Sequence, residues 1–461
     1  LRNTSPLLPR TWRSNSTEEV VYSREWVPFS LQSTTKTSWK EERNMRRLWF
    51  AVGVALILVF GLVSLGATQE KVTIRWLFET DFGGGWKVLI EQFEKLHPNI
   101  DVEMQEGPSA TNVREDMYAT SLMAGEATYD MIYADLIWVP KFAAAQWIIP
   151  LGDRLSPHEI AQFLPGDIAG GMYQGKLYRI PSQSDAGMLY YRKDLLEQAG
   201  FEPPITWDEL VEQAQKLQNP PDLWGFVWQG NQYEGLICDY LELLWGAGGE
   251  LLDAEGKVVL DQGTAAVEAL QFMYDVIHTY KISPPGVTTY QEEESRHVFH
   301  NGQAVFHRNW PYVWTLAQKE DSPIRGKVGI TPMVHKKGFQ SAATQGGWGW
   351  CISRFSKNPE AAWEWIKFAT SYESQKTLHF YNGYIPTRHA LFADPDILKE
   401  SPHYPDLWRV QINARTRPQH PQYAQISDIL QRNIHAAITG TVKPEEAVKR
   451  AAAEIRELLG Q

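Results

Sequence analysis

From residue 71 the chain alternates two hydrophobic periods. Val72, Ile74, Trp76 and Phe78 recur every second position, which predicts a strand over 71–78. Thr80–Gly85 follows as a loop with three consecutive glycines. Trp86, Leu89, Ile90, Phe93 and Leu96 then fall on one helical face, and His97-Pro98-Asn99 halts that helix. Ile100, Val102 and Met104 return to period two. This β–loop–α–turn–β order is a βαβ unit and implies a parallel sheet with helices packed on it.

The pattern continues along the chain. Short apolar runs predict strands at 129–134, 175–180 and 188–191, and helices at 139–147 and from Lys193. Thr206-Trp-Asp-Glu209 is a capping box, with Leu210, Ala214 and Leu217 as the buried face of its helix. Asn358 is placed as an N-cap with Pro359 in the first turn. The last helix is expected from about Pro444 to Leu459. The fold class is α/β throughout, without short repeats. The 461 residues exceed one compact core, and two α/β lobes are the expected division of the body.

The region before residue 71 reads differently. Arg46 and Arg47 precede an apolar run, Leu48–Leu65, and small residues follow it. A basic, an apolar and a small-residue segment in that order form a secretory signal, with cleavage placed after Gly66. The run is also about as long as a bilayer-spanning helix, so an uncleaved anchor is the alternative. No cysteine stands at the junction, so a lipid-anchored form has no support. Residues 1–44 are Ser/Thr-rich without apolar period. They are set aside as a non-native or disordered extension, with 45–66 as the signal or anchor.

Composition narrows the function. The net charge is −11, and Lys and Arg outnumber acids before residue 71, so the body is more acidic still. Phosphate binding needs a basic face, so nucleic acid is excluded as a partner. The chain holds 19 Trp, a costly residue to use as mere filler because a buried indole N–H needs a partner. Cys238 and Cys351 sit among apolar neighbours and are read as buried thiols, although export would permit a disulfide. Gly83-Gly84-Gly85 lacks the Lys-Ser/Thr of a P-loop, and no Gly-x-Ser-x-Gly or HExxH run appears. No metal or cofactor is expected.

Several runs then point one way: Phe93-Glu-Lys-Leu-His-Pro-Asn-Ile-Asp-Val102, Tyr129-Asp-Met-Ile132, Gly175-Lys-Leu-Tyr178 and Ser184-Asp-Ala-Gly-Met-Leu-Tyr-Tyr-Arg-Lys-Asp-Leu195. They continue with Pro204-Ile-Thr-Trp-Asp-Glu-Leu210, Trp224-Gly-Phe-Val-Trp-Gln-Gly230, Asn309-Trp-Pro311, Gly346-Gly-Trp348 and Asn358-Pro-Glu-Ala-Ala-Trp363. In this order they resemble the extracytoplasmic sugar-binding subunits of ABC importers over residues 71–461, and the trehalose/maltose branch in particular. The resemblance implies a two-lobed periplasmic-binding-protein fold whose lobes close on ligand. It places the N-terminal lobe at 71–183 and 346–402 and the C-terminal lobe at 184–345 and 403–461, with crossings near 182–185, 344–346 and 400–404. It further implies a monomer outside the cytoplasmic membrane that delivers a small neutral sugar to the permease subunits.

Candidate ligand residues follow from chemistry and position. A sugar has apolar C–H faces that stack on rings and hydroxyls that need acceptors and donors. Glu79 and Asp135 lie at the carboxyl ends of predicted strands, where open α/β sheets place ligand groups. A helix cap is the competing role for Asp135. Asp185 stands among apolar residues in the expected hinge strand, where a carboxylate is costly without partners, and Gln183 lies beside it. Trp310 and Tyr312 flank Pro311 on an expected turn. Trp348 follows Gly346 and Gly347, where missing side chains permit close approach, while Trp350 is read as core. Tyr233 and Glu234 are weaker candidates. Arg417 lies in an Arg-Pro…Pro…Tyr run matching the family's, and its planar fork suits two hydroxyls. A surface salt bridge is its alternative.

Two competing functions keep a place at this stage. A glycoside hydrolase also uses acids and rings, but needs a carboxylate pair at a set separation, which no motif here fixes. A binding protein for an oligosaccharide, a compatible solute or a phosphodiester is the other, and an acidic cleft disfavours its anionic members.

Overall fold

The computed structural model describes residues 43, 45–52 and 71–461. They fall in two compact units, Leu1–Gln69 and Glu70–Gln461. In the first unit, residues 45–52 are helical and Met45, Leu48, Trp49 and Phe50 are exposed. The rest of the apolar run, the cleavage position after Gly66 and the extension 1–42 lie outside the described residues. No helix among the described residues is long and apolar enough to cross a membrane.

The second unit opens with the expected βαβ. Strand β1 (Val72–Phe78) pairs in parallel with β2 (Ile100–Glu106), and the helix Gly85–Leu96 connects them. Its Trp86, Leu89 and Phe93 are buried, as their spacing requires. Strand β3 (Met131–Asp135) has no exposed residue, the mark of a strand covered on both faces.

The run 175–180 is not one strand. Lys176–Leu177 (β5) turns back on Met172–Tyr173 (β4), and a longer strand, β6 (Ile180–Ala186), follows. The turn between β4 and β5 uses Gln174 and Gly175, both with positive φ. A two-residue hairpin therefore interrupts the apolar run.

After Gly187 the chain enters a second sheet. Strands β7 (Met188–Arg192), β8 (Trp224–Val227), β9 (Ala304–Asn309) and β10 (Val328–Thr331) order themselves β10-β7-β9-β8. The capping box forms as read: Thr206 and Glu209 exchange hydrogen bonds at the start of the helix Trp207–Leu217. Asn358 does occupy the N-cap of the helix Pro359–Ala369, but its side chain caps nothing. The final helix spans Pro444–Leu459.

Strand β11 (Ala343–Ile352) ties the unit together. Its first residues pair with β12 (Ala414–Thr416), its last with β3, and its centre with β6. The apolar core is divided into several clusters. One gathers Trp76, Trp86, Phe93, Trp350 and Trp365 about β1, β3 and β11. Another gathers the helices Glu234–Gly246, Ala265–His278, Tyr423–Ile438 and Pro444–Leu459 with β8 and β9. Cys238 and Cys351 are buried free thiols, as the sequence implied.

Trp350 is fully buried and meets the rings of Trp76 at 4.7 Å, Trp86 at 5.6 Å and Trp365 at 5.9 Å, all edge to face. Trp350→Ala removes the centre of this cluster. It is expected to cost about 3–5 kcal/mol, read as a lowered guanidinium unfolding midpoint.

Candidate functional site

The carboxyl end of β3, the β6–β11 ribbon and the start of the helix Glu234–Gly246 converge on one cleft of about 270 Å³. Of the candidate residues, Glu79, Asp135, Gln183, Asp185, Glu234, Trp310, Tyr312, Gly347, Trp348 and Arg417 all line it. Tyr233 does not. It is buried just before the helix Glu234–Gly246, and its phenol lies beneath the cleft beside Glu292.

The β6–β11 ribbon forms the floor. Asp185 pairs in register with Gly346, and Gln183 with Trp348. A Cβ on Gly346 would sit 3.1 Å from Asp185 Cβ and 3.2 Å from a ring carbon of Trp310. Gly347 has φ +124°, a conformation that an L side chain resists. The glycines thus let acid and ring come together over bare backbone.

Asp185 is buried and accepts one hydrogen bond, from Gln183 Nε2 at 2.7 Å. Burial pushes its pKa well above the usual carboxylate range. Gln183 opposes the rise, while Asp167, Asp135 and Glu79 reinforce it. Asp167, behind the ribbon, is likewise raised by burial, to about 6, with Arg179, Ser184 and Gln345 holding it down.

Arg417 differs from its expected role. It is neither a surface residue nor free to span two hydroxyls. It is buried, and its fork is spent on two carboxylates: Nη2 on Asp135 at 2.8 Å and Nη1 on Glu234 at 2.8 Å. Burial alone would expel this charge, but Asp135 and Glu234 hold its pKa well above the ordinary value. Glu234 also accepts from Tyr423 Oη at 2.8 Å and from Ser427. Asp135 takes a further, longer contact from the Ile137 N–H at 3.3 Å, but it is not the helix cap weighed for it, because Ile137 is the N-cap of the helix Trp138–Ala144.

Trp310 and Tyr312 are fixed from behind. The Trp310 ring rests 4.2 Å from the Arg308 guanidinium, itself buried between Asp239 and Glu242. Its Nε1 donates to Glu292 at 3.3 Å. Tyr312 opens a short helix, Tyr312–Ala317, rather than standing on a turn, and its hydroxyl donates to Glu293 at 2.6 Å. Burial works against the Glu293 charge, but Arg296 and Tyr312 hold its pKa below the usual range.

Lining residues outside the sequence reading include the charged Arg114, Glu292 and Glu293. Arg114 is buried in the helix Thr111–Met123, pairs with Glu79 at 3.0 Å and lies 4.6 Å from the Trp348 ring centroid. Tyr133 stacks on the same ring at 5.6 Å. Its burial, though not the cleft it overlooks, was signalled by the helical face that Arg114 shares with Tyr118 and Leu122, both buried. Glu292 and Glu293 open the helix Glu292–His300, where Glu294 accepts from the Gln291 N–H at 2.9 Å.

Acids exceed cations in the cleft, and its two arginines are already paired to acids. Among the described residues no group of His, Cys, Asp or Glu is disposed to hold a metal ion. The arrangement offers acceptors, ring faces and bare backbone, the complement of an uncharged polyhydroxy molecule.

Residues 79–376 match the family described as bacterial extracellular solute-binding protein. The chain belongs to that family. A probable ABC transporter-binding protein of Deinococcus radiodurans is 35% identical over 370 residues, covering 78% of this chain and 87% of that protein. A maltose-bound MalE3 structure from T. maritima is 43% identical and superposes with a TM-score of 0.81, covering 84% of this chain and all of that one. An ABC transporter solute-binding protein from Thermotoga lettingae, bound with α-D-tagatose, is 29% identical with a TM-score of 0.76, covering 85% of this chain and all of its own. The fold is accordingly that of a two-lobed periplasmic binding protein. These are exported binding proteins of ABC transporters, not enzymes, and the hydrolase alternative falls with that.

Two outcomes follow for this binding protein. Gly346→Ala is expected to displace Asp185 and Trp310 by a few tenths of an ångström and lower ligand affinity severalfold in calorimetry, with the circular dichroism spectrum unchanged. The second concerns pH. Folded Asp167 holds its proton up to about pH 6, whereas in the unfolded chain it lets go near 3.8. The native state therefore binds more protons in that window, and stability falls as pH rises through it. Asp167→Asn is expected to shrink the decline between pH 4 and 6.5 by on the order of 2–3 kcal/mol. Thermal midpoints of both proteins across that range check this, and equal slopes contradict it.

Proposed function

We propose that the chain captures a neutral sugar of about disaccharide size, such as maltose, trehalose or a related glycoside, and delivers it to an ABC importer by lobe closure. The observation that carries this is Asp185: a buried carboxyl with one side-chain partner, facing a cleft whose arginines are already paired to acids. A hydroxyl pair satisfies such a group without bringing charge, whereas an anionic ligand would meet a surplus of acids. Asp185, Glu79 and Gln183 are assigned to the hydroxyls, and Trp310, Tyr312 and Trp348 to the sugar's apolar faces. Gly347 gives close backbone approach. Asp135, Glu234 and Arg417 form a pre-paired wall whose remaining lone pairs accept from ligand, and Tyr233, outside the lining, lies beside Glu292.

The volume, about 270 Å³, lies near the lower end for small-molecule pockets, which favours a small sugar. Relatives support the class. One similar structure holds maltose, another holds tagatose, and a 25%-identical Pyrococcus abyssi relative is a maltotriose-binding protein. The lobes are assigned as 71–183 with 346–402 and 184–345 with 403–461. The working form is a monomer at the outer face of the cytoplasmic membrane, exported by the 45–66 segment or held there by it.

Titration calorimetry with maltose, trehalose, sucrose and glucosylglycerol tests the reading. At least one is expected to bind at one site per chain. Asp185→Ala and Trp348→Ala are each expected to weaken that binding at least tenfold, about 1.4 kcal/mol. No heat from any sugar rejects the ligand class, and unchanged affinity in both variants rejects the placement of the site.

A further inference from the structure

One buried carboxylate serves more than its ion pair. Glu242 stands in the helix Glu234–Gly246 and is fully buried. Its two oxygens take the Arg308 guanidinium side-on, Oε2 from Nε at 2.9 Å and Oε1 from Nη2 at 2.5 Å. Such a pair brings little net stability but fixes positions. What it fixes here lies on two sides.

On one side are the strands that cross between the assigned lobes. Glu242 Oε1 accepts a further hydrogen bond, from the Thr344 N–H at 3.0 Å. The Thr344 hydroxyl donates to the Cys238 carbonyl at 2.9 Å, one turn back on the same helix as Glu242. The Thr344 carbonyl accepts from the Gly187 N–H at 3.2 Å. Gly187 passes so close that a Cβ there would collide with both Glu242 and Arg308. Gly187 follows the crossing assigned at 182–185, and Thr344 opens the one assigned at 344–346. Both crossings thus rest on a single carboxylate.

On the other side is the cleft. The Arg308 guanidinium lies 4.2 Å from the Trp310 ring, and its Nη1 donates to Gln229 Oε1 at 3.1 Å. Tyr190, three residues past Gly187, donates from its hydroxyl to the Trp310 carbonyl at 2.8 Å. Trp310 lines the cleft, whereas neither Arg308 nor Glu242 does. A shift of the ring presses on the guanidinium beneath it. A planar fork held by two parallel hydrogen bonds cannot follow without moving its carboxylate.

We infer that Glu242 is a positioning residue that couples the Trp310 ring to the strand crossings, so that a sugar pressed on the ring and a bend at the crossings are one event. This rests on the proposed sugar-binding function and deepens it, because it names the link between contact and closure. Glu242 acts through Arg308 and touches no sugar itself.

A double-mutant cycle tests this with whichever of maltose, trehalose, sucrose and glucosylglycerol binds the unaltered chain. Glu242→Gln keeps the shape and an acceptor for Thr344 but turns an amide toward the guanidinium. It is expected to weaken binding about tenfold. At saturating sugar it is expected to lose most of the fall in radius of gyration that small-angle X-ray scattering reads in the unaltered chain. Trp310→Ala is expected to weaken binding about fivefold or more in the unaltered chain, and less than about twofold beside Glu242→Gln. Arg308→Lys keeps a paired charge but loses the fork. It is expected to show the same non-additivity, and its cycle decides the matter where Glu242→Gln does not fold. Equal costs of Trp310→Ala in both backgrounds overturn the coupling and leave the proposed function standing. Full contraction of Glu242→Gln at saturation does the same, as does an unaltered chain that binds sugar without contracting. If none of the four sugars binds, the coupling falls together with that function.

Discussion

Everything at this site depends on how closely β11 can lie against β6. The ribbon is bare where it needs to be: Gly346, Gly347 and Gly349 face Asp185, Ser184 and Pro181 in register. A side chain at Gly349 would strike Arg179, with its Nε 2.8 Å from the added Cβ. This same ribbon leads into the second sheet, since β6 runs through Gly187 into β7. Floor and connection are one element. A substitution that loosens the connection therefore also spoils the floor, and one that reshapes the floor strains the connection.

The charges obey a second constraint. Buried ions are tolerated only when paired and well hydrogen-bonded. Arg308 meets this with Asp239 and Glu242, and Arg417 with Asp135 and Glu234. Arg308 braces Trp310. Arg417 draws together the end of β3 and the start of the helix Glu234–Gly246, two elements that carry different walls of the cleft. Such pairs contribute little net stability, but they fix positions, because breaking one leaves a stranded charge. Asp185 departs from this pattern: its one side-chain partner is the Gln183 amide.

The sequence showed the elements and named eleven candidate residues, ten of which line the cleft, and the misses have physical causes. The βαβ opening, the capping box at Thr206 and the last helix were legible because each rests on local periodicity or local hydrogen bonds. The hairpin at Met172–Leu177 was not, because a two-residue turn leaves the apolar run nearly intact. Strand-end acids such as Asp135 could be placed by the sheet rule alone. Whether they face ligand or a counter-ion depends on residues far away: Arg417 lies hundreds of positions from Asp135 and reaches it only in the folded chain. Arg114 and Glu292 were missed for the same reason. Each lies on a helix whose local pattern says little about which residue overlooks a cleft built from other segments.

At the mouth of the cleft, Asn382 accepts from the Gly85 N–H at 2.9 Å and donates to Asp81 at 2.8 Å, and Asp81 accepts from the N–H groups of Gly84 and Lys87. None of these bonds involves the rings of Phe82 or Tyr381, which stand exposed on the two segments so joined. The backbone is fastened there by its own polar groups, so the exposed side chains can be exchanged in evolution without unfastening the loop beneath them.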